Sequence, residues 1–198
     1  MPAARESLLD SALSAITAQP WSGVRMVDVA SAAGVSRQTL YNEFGSKDGL
    51  VRALVRREAD RYLLGVDRVL AGPAPDAERL AGIAEWTVSA ARSCPLVRAL
   101  LTGCWPEGLP APRPAARSTG SHIPAQRRAD AGPPSPAGLI AAVLRRAAPA
   151  PAAGRTEEEA AAFVHHCEVA VRLALSHVVA PGGPQADHLV RDVLAQGG

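Results

Sequence analysis

The stretch VASAAGVSRQTLYNEFGSKDGL, residues 29–50, constrains the fold of this chain more than any other segment. It combines small residues with apolar residues at helical spacing, which is the pattern of two short helices joined by a tight turn. Ala30 allows the second helix to cross closely, and Gly34 can adopt the left-handed conformation that such a turn requires. The stretch therefore predicts a helix-turn-helix, locked by four apolar residues: Val29, Val35, Leu40 and Phe44.

The second helix of this motif carries polar side chains that its packing does not need. Ser36 can cap the helix, and the side chains left over are Arg37, Gln38, Thr39, Tyr41 and Asn42. Arginine and glutamine match the edges of guanine and adenine in the major groove, while threonine, tyrosine and asparagine suit phosphate oxygens. Lys47 and the free amides of the next helix start favour a phosphate anion. These features predict DNA binding; the alternative is a surface helical hairpin with an ordinary polar face.

The segment VDVASAAGVSRQTLYNEFGSKDGLVRAL resembles the DNA-binding region of the TetR family of bacterial transcriptional regulators, within a match over about residues 8–54. The resemblance implies phosphate contacts by three residues: Thr39, Tyr41 and Lys47. It implies contacts with bases by three residues: Arg37, Gln38 and Tyr41. It also implies that Ser36 caps the recognition helix and touches a phosphate.

Two positions depart from the family's pattern. Met26 stands where the family often has Thr or Ser opening the second helix and contacting phosphate, and Arg25 beside it can supply phosphate attraction instead. Gly49 replaces a more usual acidic helix former, which predicts a softer start of the fourth helix without a change in the motif.

Helical periodicity continues along the rest of the chain, and no alternating strand pattern is present. The first helix ends before Pro20, and a last short helix is predicted over residues 185–194. Start signals for the helices between them stand at Ser46, Asp76, Pro95, Ser135 with Pro136, and a capping box of Thr156 with Glu159. The sequence predicts an all-α fold of about nine helices.

Proline-rich residues 106–136 interrupt this helical pattern. Proline removes a backbone donor and blocks helix interiors, so this segment is predicted to be a long loop, either an ordered lid or partly disordered. We expect a helix-turn-helix DNA-binding domain over residues 1–57. The resemblance implies a helical ligand-binding and dimerisation domain over residues 58–198, which includes this loop.

The resemblance further implies that the last two helices pair with those of a second copy of the chain. The apolar residues available for that pairing are Phe163, Val164, Val171, Leu175 and Val178. Several alanines nearby permit close helix approach. The alternative for these residues is a core within one chain.

Bulky side chains in the second domain are candidates for a small-molecule pocket. The candidate ligand-binding residues are Trp86, Leu100, Leu101, Trp105, Val143 and His166. They are equally the expected core of that domain. A ligand that favours one spacing of the two DNA-reading helices would shift DNA affinity by linkage.

Other classes of function find little support in the sequence. The net charge is only +2, and the three cysteines have no CxxC spacing, so no zinc ribbon or disulfide framework is predicted. His165, His166 and Cys167 are adjacent on a helix and cannot all face one ion. No catalytic motif is present, and no cofactor, metal, secretory signal or membrane span is expected. These features predict a cytoplasmic protein that is not an enzyme.

The sequence thus predicts a TetR-like transcriptional repressor that binds a palindromic double-stranded DNA operator as a homodimer and is released by a small-molecule effector. The alternative is a ligand- or metal-sensing helical protein whose helix-turn-helix does not read DNA specifically.

Overall fold

Helices make up the regular structure of the computed structural model, which describes residues 2–112, 133–148, 156–182 and 188–192. Within these residues there is no strand, and residues 188–192 are helical in addition to eight complete helices. The helices are α1 (Pro2–Ala18), α2 (Met26–Ala32), α3 (Arg37–Phe44), α4 (Lys47–Leu70), α5 (Asp76–Ser93), α6 (Pro95–Thr102), α7 (Pro136–Ala147) and α8 (Glu157–Val179), with a 3-10 turn at Trp21–Gly23. The predicted all-α fold is confirmed.

Most of the predicted helix starts are found. The Thr156 side chain accepts from the Glu159 amide at 3.2 Å, and the Glu159 carboxylate accepts from the Thr156 amide at 2.8 Å, which completes the capping box. Ser135 accepts from an amide at the start of α7, and Ser46 accepts from the Gly49 amide at 3.0 Å at the start of α4. Pro95 and Pro136 occupy first-turn positions.

The predicted cap at Asp76 is wrong. Pro75 occupies the N-cap position of α5 and provides no side-chain hydrogen bond, while Asp76 already lies inside the first turn. There its carboxylate pairs with Arg79, three residues further along the helix. The negative charge stabilises the helix N-terminus through the helix dipole instead of through a cap.

Two predicted segments lie partly outside the described residues. The last short helix was predicted over 185–194, and the described portion, 188–192, is helical. Of the proline-rich segment, residues 106–112 and 133–136 are described. The prediction of a lid or disordered loop over the remainder concerns residues outside those ranges.

The described residues group into two units. The first comprises α1, α2, α3 and the start of α4 as far as Glu58, together with residues 105–112. The second begins at Ala59 and holds the rest of α4, α5, α6, α7 and α8. Residues 105–112, which the sequence placed in the second domain, join the first unit because the Trp21 amide donates to the Gly108 carbonyl at 2.8 Å.

The first unit combines an apolar core with an ionic cluster around a buried arginine. Its fully buried side chains come from α1, α3 and α4 and include Leu8, Leu40, Leu50 and Leu54. The guanidinium of Arg57, only 8% exposed, reaches Asp10 at 2.7 Å and also pairs with Glu6 and Glu58. This cluster joins α1 to α4 and compensates the cost of burying a charge.

The second unit is built around the pairing of α5 with α8, against which α6 and α7 pack. A buried polar contact lies in its interior, where the Tyr62 and Thr87 hydroxyls are 3.0 Å apart and Thr87 donates to the Ile83 carbonyl. Burial raises the pKa of Tyr62 to about 12 and the pKa of the Cys167 thiol to about 11. Both groups are therefore neutral at ordinary pH.

The buried stripe of α8 is committed to packing within the second unit. Phe163, Val171 and Val178, which the sequence offered as a dimer surface, are all buried there. Val164 and Leu175 are half-buried. The structure therefore places these three residues in a core within one chain, which was the alternative to a dimer surface.

Candidate nucleic-acid interface

The turn between α2 and α3 has the backbone geometry predicted for a helix-turn-helix. Gly34 lies at φ 67°, in the left-handed region that favours glycine. The Val35 amide donates to the Ala30 carbonyl at 3.0 Å, which closes the turn. Ser7 of α1 donates from its hydroxyl to the Ala33 carbonyl at 3.1 Å. The turn is thus tied to α1 as well as to its own two helices.

The helix α3 is fixed at both ends and on one face. The Ser36 hydroxyl accepts from the Thr39 amide at 3.0 Å, which confirms the predicted cap. Gly45 at φ 70° ends the helix. Leu40 and Phe44 are its buried side chains, and the Arg5 guanidinium of α1 lies 4.8 Å from the centre of the Phe44 ring.

The opposite face of α3 presents the side chains that the sequence predicts to meet DNA. Four of them are exposed and one is half-buried: Arg37, Gln38, Tyr41 and Asn42 are exposed, and Thr39 is half-buried. Tyr41 is 40% exposed, which is unusual for a large aromatic side chain. The Gln38 amide nitrogen donates to the Asn42 amide oxygen at 2.8 Å.

Arg37 is available to a ligand. Its side chain is exposed and forms no ion pair within the described part of the chain. An arginine without a partner is suited to bidentate contact with a guanine edge or a phosphate.

Lys47 makes contacts that the sequence did not predict. Its ammonium donates to the Trp21 carbonyl at 2.8 Å and to the Val24 carbonyl at 2.5 Å. It also lies 4.8 Å from the centre of the Trp21 ring. Lys47 therefore anchors the turn before α2 to the start of α4, and a phosphate contact by the same ammonium stays a prediction.

Arg25 stands at the N-cap of α2 but does not cap it, since its side chain makes no bond to the helix amides. Its guanidinium forms two hydrogen bonds with the Asp28 carboxylate, at 2.8 and 3.0 Å. These bonds raise the pKa of Arg25 and lower the pKa of Asp28. Both side chains are exposed, so water and salt screen the pair, and a phosphate can compete for Arg25.

Gly49 has a steric role that the sequence did not predict. A Cβ atom at this position would lie 1.9 Å from the Phe44 carbonyl oxygen. The close approach joins the end of α3 to the start of α4. The contact gives a steric reason for glycine at this junction, and the softer start of α4 stays a prediction.

The candidate pocket residues differ in burial and in the unit to which they belong. Leu100, Leu101 and Val143 are each buried in the second unit. His166 is exposed on α8, whereas Trp105 belongs to the first unit. A ligand site built from these residues stays a prediction.

Trp86 makes specific contacts within the second unit. Its indole nitrogen donates to the Tyr62 carbonyl at 3.0 Å. The ring lies so close to Gly65 that a Cβ atom there would be 2.1 Å from it. The bulky side chain is thus part of the contact between α4 and α5.

No metal centre is found in the ranges that the structure describes, where no group of three His, Cys, Asp or Glu side chains is arranged to hold a metal ion. His165 and His166 are exposed on α8, and His177 lies 3.0 Å from an Arg92 nitrogen. No helix among the described residues is long and apolar enough to cross a membrane.

The helix-turn-helix region matches a known family. Residues 8–54 fit the family model described as bacterial regulatory proteins, tetR family. The HTH-type transcriptional regulator AlkX of Mycobacterium tuberculosis is 48% identical over 59 residues, which are 30% of this chain and 28% of that protein. An uncharacterized HTH-type transcriptional regulator of the same species is 33% identical over 99 residues, 50% of this chain and 49% of that protein. The chain thus matches at most about half the length of these curated relatives.

Solved structures extend the similarity to the whole fold. The TetR family repressor AlkX from Dietzia sp. strain DQ12-45-1b, implicated in biodegradation of n-alkanes, has a TM-score of 0.53 and 25% identity, covering 96% of this chain and 94% of that one. A TetR transcriptional regulator from Rhodococcus sp. RHA1 has a TM-score of 0.50 and 18% identity, covering 98% and 95%. The second of these supports the fold alone.

Proposed function

We propose that this chain is a sequence-specific DNA-binding transcriptional repressor, because its residues 8–54 fit the tetR family of bacterial regulatory proteins and its fold is similar to that of a TetR family repressor. The observation that carries the proposal is the polar face of α3. Its other face is buried through Leu40 and Phe44, so the helix is held firmly, while the side chains of Arg37 and Tyr41 are exposed. A fixed helix with exposed hydrogen-bonding groups can enter a major groove.

The remaining DNA contacts follow from residues around α3. Thr39 and Tyr41 would contact phosphates on the flanks of the groove, and Ser36, at the N-terminus of the same helix, would touch another. Arg25 would exchange its exposed Asp28 partner for a phosphate, at little cost because surface ion pairs contribute little. Lys47 would add its charge while it keeps the turn before α2 in place.

A homodimer is part of the proposal because one short recognition helix reads too few bases for specificity, whereas two helices on an inverted repeat read enough. The buried stripe of α8 is unavailable for pairing, so the dimer would use its outer face. That face includes half-buried Val164 and Leu175 and the 64% exposed Val179. Residues 188–192 are helical and would contribute the second element.

A small-molecule effector would bind in the second unit and lower DNA affinity. The interior of that unit is apolar around Leu100, Leu101 and Val143, with the Tyr62–Thr87 hydroxyl pair as a polar point. An effector with an apolar body and one hydrogen-bonding group suits this chemistry. The similarity to the Dietzia repressor implicated in n-alkane biodegradation agrees with an apolar effector.

The test is a selection from a random-sequence DNA library by the purified full chain at about 150 mM salt, where non-specific phosphate binding is screened. Tyr41→Ala serves as the comparison. Enrichment of one inverted repeat by the wild-type chain, reduced in the variant, is expected. Enrichment of nothing by a folded wild-type chain would contradict the proposal and favour a ligand- or metal-sensing protein that does not read DNA.

A further inference from the structure

Two amide side chains on the exposed face of α3 are hydrogen-bonded to each other. The Gln38 Nε2 atom donates to the Asn42 Oδ1 atom at 2.8 Å, one helical turn further along. Both side chains are exposed, and the packing of α3 relies on other residues. An exposed pair of this kind contributes little to helix stability. Its main consequence is to orient the Gln38 amide.

The oriented amide keeps the hydrogen-bonding groups that a base requires. An amide nitrogen carries two hydrogens, and Asn42 accepts only one of those on Gln38. If Asn42 takes the hydrogen that points away from Oε1, the second hydrogen and the Oε1 atom stay side by side as one donor and one acceptor. Adenine offers the complement in the major groove, because its N7 accepts and its N6 amino group donates.

We propose that Gln38 and Asn42 act as one reading unit that selects adenine at one position of each operator half-site. Gln38 contacts the base, and Asn42 is a positioning residue that holds the Gln38 amide in the orientation that adenine requires. This inference rests on the proposed function, since it assumes that α3 enters the major groove. It replaces the phosphate contact that an isolated asparagine side chain suggests.

The energetic reason for the unit is preorganisation. A free glutamine side chain loses rotamer freedom when it binds a base, and its amide can turn over to present either order of donor and acceptor. Asn42 removes part of that freedom before DNA arrives. Loss of Asn42 therefore weakens the preference for adenine at the position that Gln38 reads and leaves the other positions unchanged.

The experiment measures affinities of the full-length protein for the selected operator and for a series with each base pair changed in turn. For the wild type, replacing the A·T pair in one half-site is expected to weaken binding by about tenfold, and replacing it in both half-sites by about a hundredfold. Gln38→Ala removes the preference at that position. Asn42→Ala reduces it several-fold at the same position, with an unchanged helical circular dichroism spectrum.

Two conservative variants sharpen the test. Asn42→Asp still accepts from Gln38, so it keeps the preference for adenine while it binds every sequence more weakly through charge repulsion with phosphates. Gln38→Glu moves the preference at that position toward cytosine, because a carboxylate accepts from the cytosine N4 amino group. Thr39→Ala is the control, and it is expected to weaken binding to every sequence by the same factor.

Two results would overturn the inference while leaving the proposed function intact. One is a uniform loss of affinity in Asn42→Ala with base preferences unchanged, which would make Asn42 a phosphate contact. The other is that Gln38→Ala and Asn42→Ala change preferences at different positions. If the wild-type chain selects no operator, the proposed function itself is contradicted. This inference then fails with it, and no variant needs to be compared.

Discussion

Lys47 lies against Trp21 in two ways: its ammonium donates to the Trp21 carbonyl at 2.8 Å and sits 4.8 Å from the centre of the indole ring. The same ammonium reaches the Val24 carbonyl, just before α2 begins. The start of α4 is thereby joined to the segment that leads into the helix-turn-helix. A residue expected only as a phosphate contact is also a structural anchor.

The first prediction concerns this anchor. Lys47→Met keeps an apolar stem but loses the hydrogen bonds, and we expect the free energy of unfolding to fall by about 1.5–3 kcal/mol, the usual contribution of hydrogen bonds to charged groups. Urea denaturation followed by tryptophan fluorescence measures this change. DNA affinity should fall for all sequences alike. Unchanged stability together with weaker DNA binding would show that Lys47 is a phosphate contact alone.

The second prediction concerns the junction of α3 with α4. Gly49→Ala places a Cβ atom against the Phe44 carbonyl oxygen, 1.9 Å away without rearrangement. We expect a loss of about 1–3 kcal/mol of stability through overpacking, although alanine normally favours a helix over glycine. The control is Gly182→Ala, where a Cβ atom meets nothing within 4 Å. Equal melting temperatures for the two variants would refute the steric account.

The third prediction concerns the contact between α4 and α5. Gly65→Ala is expected to displace the Trp86 indole, since the new Cβ atom would lie 2.1 Å from the ring. A double-mutant cycle with Trp86→Leu tests the reason, because the cost of Gly65→Ala should shrink once the indole is gone. Additive effects of the two changes on the free energy of unfolding would mean that the contact is not the cause.

The fourth prediction is a loss of stability at alkaline pH. Burial raises the pKa of Cys167 from 9.0 to about 11 and the pKa of Tyr62 from 10.0 to about 12. The unfolded chain therefore releases these protons at lower pH than the folded chain does, and stability falls as pH rises above about 9. Urea midpoints measured from pH 8 to 11 check this decline.

Cys167→Ala supplies the comparison for the alkaline prediction. It costs stability at every pH through the lost packing, but the slope of stability against pH between about 9 and 11 should become shallower. An unchanged slope would mean that the buried thiol does not contribute. Alkylation of the folded protein should also be much slower at Cys167 than at exposed Cys104.

Local signals in the sequence were sufficient to predict the helices and the turn between α2 and α3. Gly34 and Ser36 act through their own backbone and nearest neighbours, so their roles follow from residue type and spacing. The contacts of Lys47 with Trp21 and of Gly65 with Trp86 join residues more than twenty positions apart. No periodicity encodes such pairs, which is why an anchor and a close approach were missed.

The predicted dimer surface shows a second limit of prediction from sequence. Apolar residues such as Phe163 and Val171 predict that part of α8 is buried, but periodicity does not state whether a neighbour in the same chain or a second copy covers them. The structure shows that they pack within the second unit. Exposed apolar residues such as Val179 are then the candidates for contact with a second copy of the chain.

The central claim, that the polar face of α3 reads DNA sequence, is tested most directly by comparing two affinities of the wild-type chain and of Arg37→Ala. Fluorescence anisotropy at about 150 mM salt would give the affinity for the selected inverted repeat and for a scrambled duplex of equal length. We predict that the wild-type chain prefers the repeat by roughly a thousandfold or more and that Arg37→Ala loses at least about tenfold of that preference. Equal affinities of the wild-type chain for the two duplexes would contradict the claim.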